Sequence, residues 1–313
     1  MNNGLVIYIL ILIGFFILLN YNYYLNKKND KIRRLKDETI DIDYFFYNSD
    51  KLTNAKKRKL WIHIPHEKNA RKWVDFGERN SNDLNQPYML LCIKSIIDNC
   101  AQNYDIIIFN DTNMCDILSD MDIDLGKLSG CLLDKYREIC LLEILYRYGG
   151  VLVPPSLFLN NSLYLIDNPE SWYVSEFKND KNISHLNSLP SIKLTGSNEK
   201  NEKLRHYIDY LNKILSQDFG ESSLAYNQNY LTVNSIPTLS GKIIGTKDVF
   251  GDMISIDDLM SDKKIKLCKT NIGLYIPANE LLHRKIYQWF CYLNEEQVLK
   301  ANVFISEYMR DNI

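Results

Sequence analysis

The spacing of apolar positions along this chain changes several times, and each change marks a new segment. Residues 5–19 are apolar without interruption, and Tyr21, Tyr23 and Tyr24 extend the run to the roughly 20 residues that a membrane span requires. A single transmembrane helix is therefore expected over residues 4–24. Residues 25–59 are charged and read as a juxtamembrane stalk. From residue 60 onward, short apolar runs alternate with segments of helical period. Residues 60–64 and 104–109 predict strands, with a helix over 86–99 between them that Pro87 suits as a first-turn residue. Residues 131–148 have the period of a core-facing helix. Gly149 and Gly150 close it, and residues 151–153 predict a buried strand that Pro154 must end or push to an edge. Further on, 172–177 reads as a strand, 202–215 as a helix, 241–250 as a strand and turn, and 279–292 and 295–308 as helices. Alternating strands and helices predict an α/β fold, a single sheet of mostly parallel strands in one domain over 60–313.

Composition and charge narrow the partners. Of the 313 residues, 46% are apolar and 24% charged, enough to build a sizeable core. A formal charge of −2 and a pI near 6.2 give no reason to expect nucleic acid. Lys27, Lys28, Lys31, Arg33, Arg34 and Lys36 directly follow the apolar run, which by the positive-inside rule places the domain in the cytosol with membrane lipid as a partner. The seven cysteines form no CxxC pair and read as reduced thiols.

No metal site is expected. His63 and His66 lack the further histidine of a metalloprotease motif. Asp120, Asp122 and Asp124 alternate as calcium ligands might, but Leu125 and Cys131 stand where an EF-hand loop needs glycine and an acid.

In open α/β sheets ligands gather at the carboxyl ends of the strands. Those ends are His63, Asn110 with Asp111, and Pro154 to Ser156. One residue of the long helix needs an explanation: Arg137 falls within its apolar arc, where a guanidinium is costly without a partner. Either it pairs with a buried acid such as Glu138 or Asp111, or it serves as a phosphate ligand. Candidate binding residues are thus His63, Asp111, Arg137, Glu138 and Ser156.

The helix, the YRYGG sequence at 146–150 and the short apolar strand after it resemble the sugar transferases that include fungal initiating mannosyltransferases and bacterial capsular polysaccharide synthesis proteins. Trp61 to Pro65 (WIHIP) and Tyr287 to Phe290 (YQWF) make the chain more similar to divergent relatives from large DNA viruses. The resemblance implies a nucleotide-sugar transferase fold of the GT-A-like type, a nucleotide sugar as donor substrate in place of a cofactor, a glycan or protein acceptor, and a lumenal domain. In that family an Asp-x-Asp pair after the strand holds a divalent cation against the donor diphosphate. Here Pro154, Pro155 and Ser156 occupy those positions, while Glu138 and Leu141 stand where the family's helix carries Asp and Arg. Two functions follow: a membrane-anchored glycosyltransferase that works without a cation held there, or an inactive transferase-like domain that binds or supports a partner.

Overall fold

The computed structural model describes residues 13–21, 42–65, 86–121, 124–178, 188–217 and 230–313. Its centre is a six-stranded sheet built from β1 (Arg58–His63), β2 (Tyr104–Phe109), β3 (Gly150–Val153), β5 (Tyr173–Lys178), β6 (Ser188–Ser197) and β7 (Thr238–Leu239), in the order β2-β1-β3-β6-β5-β7. Both β2 and β3 run parallel to β1, β6 runs antiparallel to β3 and to β5, and β7 is parallel to β5. All strands but β6 therefore point the same way. The expected class, mixed α/β with a mostly parallel central sheet, is what forms. A separate two-stranded sheet pairs β4 (Leu157–Leu159) with β8 (Gly273–Tyr275).

Alternation along the strands divides the core between the two faces of the sheet. Trp61, Ile107, Phe109, Leu152 and Val174 pack beneath α3 (Asp111–Ile117), α4 (Gly130–Tyr148) and α5 (Glu202–Gln217), and the short α1 (Ser49–Asn54) adds Leu52 to that layer. Leu60, Ile62, Ile106, Ile108, Val151 and Val153 pack on the other face against α2 (Met89–Cys100) and α6 (Gly241–Ile244). A third apolar cluster joins α2 and β4 to α7 (Ile256–Leu259), α8 (Ala278–His283), α9 (Glu295–Lys300) and α10 (Phe304–Asn312). β3 is buried along its whole length and lies between β1 and β6, as an interior strand must.

The double glycine sets how closely β3 can approach β1. Gly149 has φ +61° and ends α4 with its N–H on Leu145 O, while its own carbonyl accepts Trp61 Nε1 at 2.8 Å. Gly150 has φ +109°, and a Cβ there would lie 2.3 Å from Lys59 O, an atom of backbone that cannot step aside.

At the amino ends of the parallel strands an ion pair has its carboxylate closed off from water. Arg58 meets Asp167 at 2.6 Å, and the hydroxyls of Tyr104 and Tyr173 donate to the same carboxylate at 2.9 and 3.0 Å. Arg58 also reaches Gly150 O at 3.1 Å, so the first residues of β1, β2 and β5 meet at one carboxylate and Arg58 ties in the first residue of β3. Burial, with Asp167 beside them, raises both tyrosine hydroxyls well above their ordinary pKa.

Several sequence expectations change. Residues 241–250 were expected as a strand and turn, but Ser240 caps a helical turn over Gly241–Ile244 instead. The C-terminal helices are shorter and more numerous than the pattern suggests, because the chain breaks at Arg284 and at Ala301. The strands β4, β6, β7 and β8 have no counterpart in the sequence reading. On α4 the buried positions include Lys135 and Glu143 as well as Ile139, Leu142, Ile144 and Leu145, because sheet and α5 flank the helix on different sides. Glu143 is satisfied there by Arg205 of α5 at 2.8 Å.

Of the segment read as a stalk, residues 42–57 lie beside β2, and residues 58 and 59 already belong to β1. Phe46 bridges to Ile108, Tyr47 N–H donates to Ile108 O at 2.8 Å, and Asp105 accepts the Lys56 and Lys57 amides at 2.7 Å each. Residues 13–21 are helical, and the apolar side chains among them are exposed. Among the described residues no helix is long and apolar enough to cross a membrane, and the expected span over 4–24 extends outside them on both sides.

Candidate functional site

The carboxyl end of β1 delivers His63, and the carboxyl end of β2 delivers Asn110 and Asp111. Asn110 and Asn113 form a reciprocal capping box, at 3.0 and 3.3 Å, which starts α3 and fixes Asp111 as its first residue. Asp111 is met by two partners from separate elements. His63 Nε2 lies 2.9 Å from its Oδ1, and Arg137 of α4 contributes Nη2 at 2.6 Å to Oδ2 and Nε at 3.1 and 3.2 Å to the two oxygens. A carboxylate only accepts, so His63 Nε2 carries the proton of that bond. The side chains are 8% (His63), 15% (Asp111) and 12% (Arg137) exposed, which leaves the cluster at the surface's margin. Burial works against the Asp111 charge, but the hydrogen bonds and charges of His63 and Arg137 outweigh it and hold its pKa down to about 2.

This geometry gives Arg137 the acid that one of its two readings required. Its guanidinium is engaged side-on by Asp111 in a forked contact, and its Nη1 lies a further 3.5 Å from Asp134. The acid that pays for burying Arg137 is therefore Asp111, 26 residues upstream, rather than its neighbour Glu138. Glu138 belongs to the α5 side of the helix, where burial first and its charge second raise the Tyr207 hydroxyl. Ser156 is buried in the turn after β3, and its carbonyl accepts Ile276 N–H at 3.0 Å beside β8. The structure thus gathers His63, Asp111 and Arg137, and it sets Glu138 and Ser156 elsewhere.

A second polar cluster, absent from the sequence reading, stands on the same carboxyl edge. Glu176 of β5 accepts Lys247 Nζ and Ser188 Oγ on Oε1, both at 2.6 Å, and Gly241 N–H on Oε2 at 3.0 Å. Burial opposes the Glu176 charge, but these three donors lower its pKa. Two residues on, Lys178 reaches Glu280 at 3.3 Å. Glu176 and Lys178 alternate with Phe177 at the end of a predicted strand, which was the available signal. Lys247 gave none.

Other candidates fall away from these two clusters. Arg147 is paired with Asp120 and Glu143, and Asp124 accepts Gly126 N–H at 3.0 Å and pairs with Lys127 at 3.0 Å. Asp122, His66 and the loop cations Arg71, Lys72 and Arg79 lie outside the described residues. Among the described residues no three His, Cys, Asp or Glu side chains are grouped to hold a metal ion. None of the seven cysteines is in a disulfide; Cys92, Cys100, Cys140 and Cys291 are buried, and burial raises the Cys140 thiol to about 12.

Chemically, Asp111 held as an anion between two donors is an anchor rather than a base. It orients His63, the group of the three that can both donate and accept. A ligand hydroxyl or phosphate oxygen reaching this edge would meet imidazole, and beyond it the remaining guanidinium donors of Arg137.

No family model matches the chain, and no curated protein matches it. Among solved structures it is similar to a PaToxG glycosyltransferase at 12% identity and TM-score 0.34, over 66% of this chain and 78% of that one. It is also similar to the apo form of the glycosyltransferase GlyE of Streptococcus pneumoniae TIGR4, at 10% identity and TM-score 0.35, over 82% of this chain and 63% of that one.

Proposed function

We propose that the chain is a membrane-anchored glycosyltransferase-like protein that takes a nucleotide sugar at the carboxyl edge of its parallel strands and passes the sugar to a glycan or protein acceptor. The observation that carries this reading is the convergence of His63, Asp111 and Arg137 from three separate elements on that edge. No carboxylate stands in the turn after β3, where Pro154, Pro155 and Ser156 leave a divalent ion at most one hydroxyl. Stabilising the departing diphosphate then falls to cations and backbone amides of the chain. Residues 4–24 supply the anchor, and the basic residues after it favour a cytosolic domain.

A second reading, a transferase-like domain without catalysis that binds or supports a partner at the membrane, is favoured by one observation: the Arg137 fork is already occupied by Asp111. Binding and hydrolysis of UDP- and GDP-sugars by the full chain, with and without manganese, separate the two. The transferase reading expects saturable donor binding and hydrolysis, both unchanged by manganese and both weakened about tenfold or more in His63→Ala. Binding without hydrolysis selects the second reading. Absence of nucleotide binding refutes both.

A further inference from the structure

One turn beyond the Asp111–Arg137 contact, the same two helices each carry a cysteine. Cys115 stands four residues after Asp111 on α3, and Cys140 three residues after Arg137 on α4. Both line a small cleft, together with Met114, Met121, Leu118 and Leu125. Cys140 and Met114 are buried at its base, and Cys115 is exposed at its rim with its thiol 3.6 Å from Asp111 O. Methionine and cysteine commonly fill cores. Here, however, the lining offers two thiols and two thioethers and no side-chain oxygen or nitrogen, and an exposed thiol stands at its mouth.

We propose that this cleft is a binding site for a soft monovalent cation of the copper(I) class. Thiolate and thioether donors select such ions over magnesium, calcium or manganese, which prefer oxygen. Cys115 and Cys140 would supply the two thiolates and Met114 and Met121 the weaker thioether ligands. Each thiol gives up its proton to solvent as its sulfur binds the ion, with no change of oxidation state in protein or metal. The bound ion would bridge α3 to α4 at a second level, below the carboxylate that already joins them.

Copper(I) titration of the full, reduced, metal-free chain against a copper(I)-specific chelator tests this, with the sulfur shell read by X-ray absorption. One copper per chain in an all-sulfur shell is expected. Cys115→Ser, a change at an exposed position, should weaken retention at least tenfold, Met121→Leu a few-fold, and Cys268→Ser, remote from the cleft, not at all. Cys140→Ala serves beside Cys140→Ser in case the buried hydroxyl impairs folding. Copper retention unaltered in Cys115→Ser, oxygen or nitrogen in the metal's shell, or a Cys115–Cys140 disulfide formed in place of bound metal would each overturn the assignment.

Discussion

Two arginine–aspartate pairs stand at opposite ends of the same parallel strands, and they differ in how completely their carboxylates are closed. At the amino end Asp167 is 4% exposed and accepts four hydrogen bonds, two from Arg58 and one each from Tyr104 and Tyr173. Its partners are the opening residues of β1, β2 and β5, so the pair joins strand ends and has no capacity left for a ligand. At the carboxyl end Asp111 binds a guanidinium as firmly, yet its second partner is an imidazole, whose other nitrogen is not held by Asp111. The same chemical pair serves as a clamp where its neighbours are phenols and as an adjustable edge where its neighbour is histidine. Closure, more than the ion pair itself, separates structure from site.

If that contrast is right, the largest effect comes from the clamp. Asp167→Ala leaves a mostly buried arginine and two buried hydroxyls without their acceptor, and removing one member of such a pair typically costs about 3–5 kcal/mol in urea denaturation. Asp111→Ala is expected to cost less, about 1.5–3 kcal/mol, the range for hydrogen bonds to a charged group, because Arg137 keeps a contact to Asp134. A larger loss at Asp111 than at Asp167 would reverse the comparison.

A smaller, pH-dependent effect sharpens it. The folded pKa of Asp111, about 2, lies below the ordinary carboxyl value of about 4. Its contribution to stability is therefore complete above about pH 4 and is lost as pH falls toward 2. Asp111→Asn should flatten the stability profile across that interval; an unchanged acid slope would mean that the carboxylate is not held as described. Smallest of all, Asp120→Asn, at an exposed partner of Arg147, should leave the melting temperature unchanged, since surface pairs contribute little.

How much of this was readable beforehand depends on where each residue finds its partner. β1, β2, β3 and α4 announced themselves because their apolar runs are uninterrupted and the glycine pair separates helix from strand. Arg137 stood out as a charge on an apolar face, and the acid it needed was among the two named. By contrast β6 carries Pro190, Gly196 and alternating Ser, Lys and Thr, and only its ladders to β3 and β5 make it a strand. α3 was hidden because its opening Asn-Asp-Thr-Asn resembles a turn, although the same residues form its capping box. Glu176 and Lys247 are 71 residues apart, and buried Glu143 finds Arg205 62 residues away. Local patterning cannot reveal contacts made at such separations.

The packing of residues 42–57 beside β2 also determines how the molecule carries load. Tension applied through the chain preceding Ile42 would act first on the Tyr47–Ile108 hydrogen bond and the Phe46 bridge, then on the Asp105 carboxylate that holds the Lys56 and Lys57 amides. Only after those had peeled away would force reach the six-residue register between β1 and β2. The border segment thus behaves as a mechanical fuse, giving up slack in small steps before the strands that bear His63 and Asp111 are disturbed.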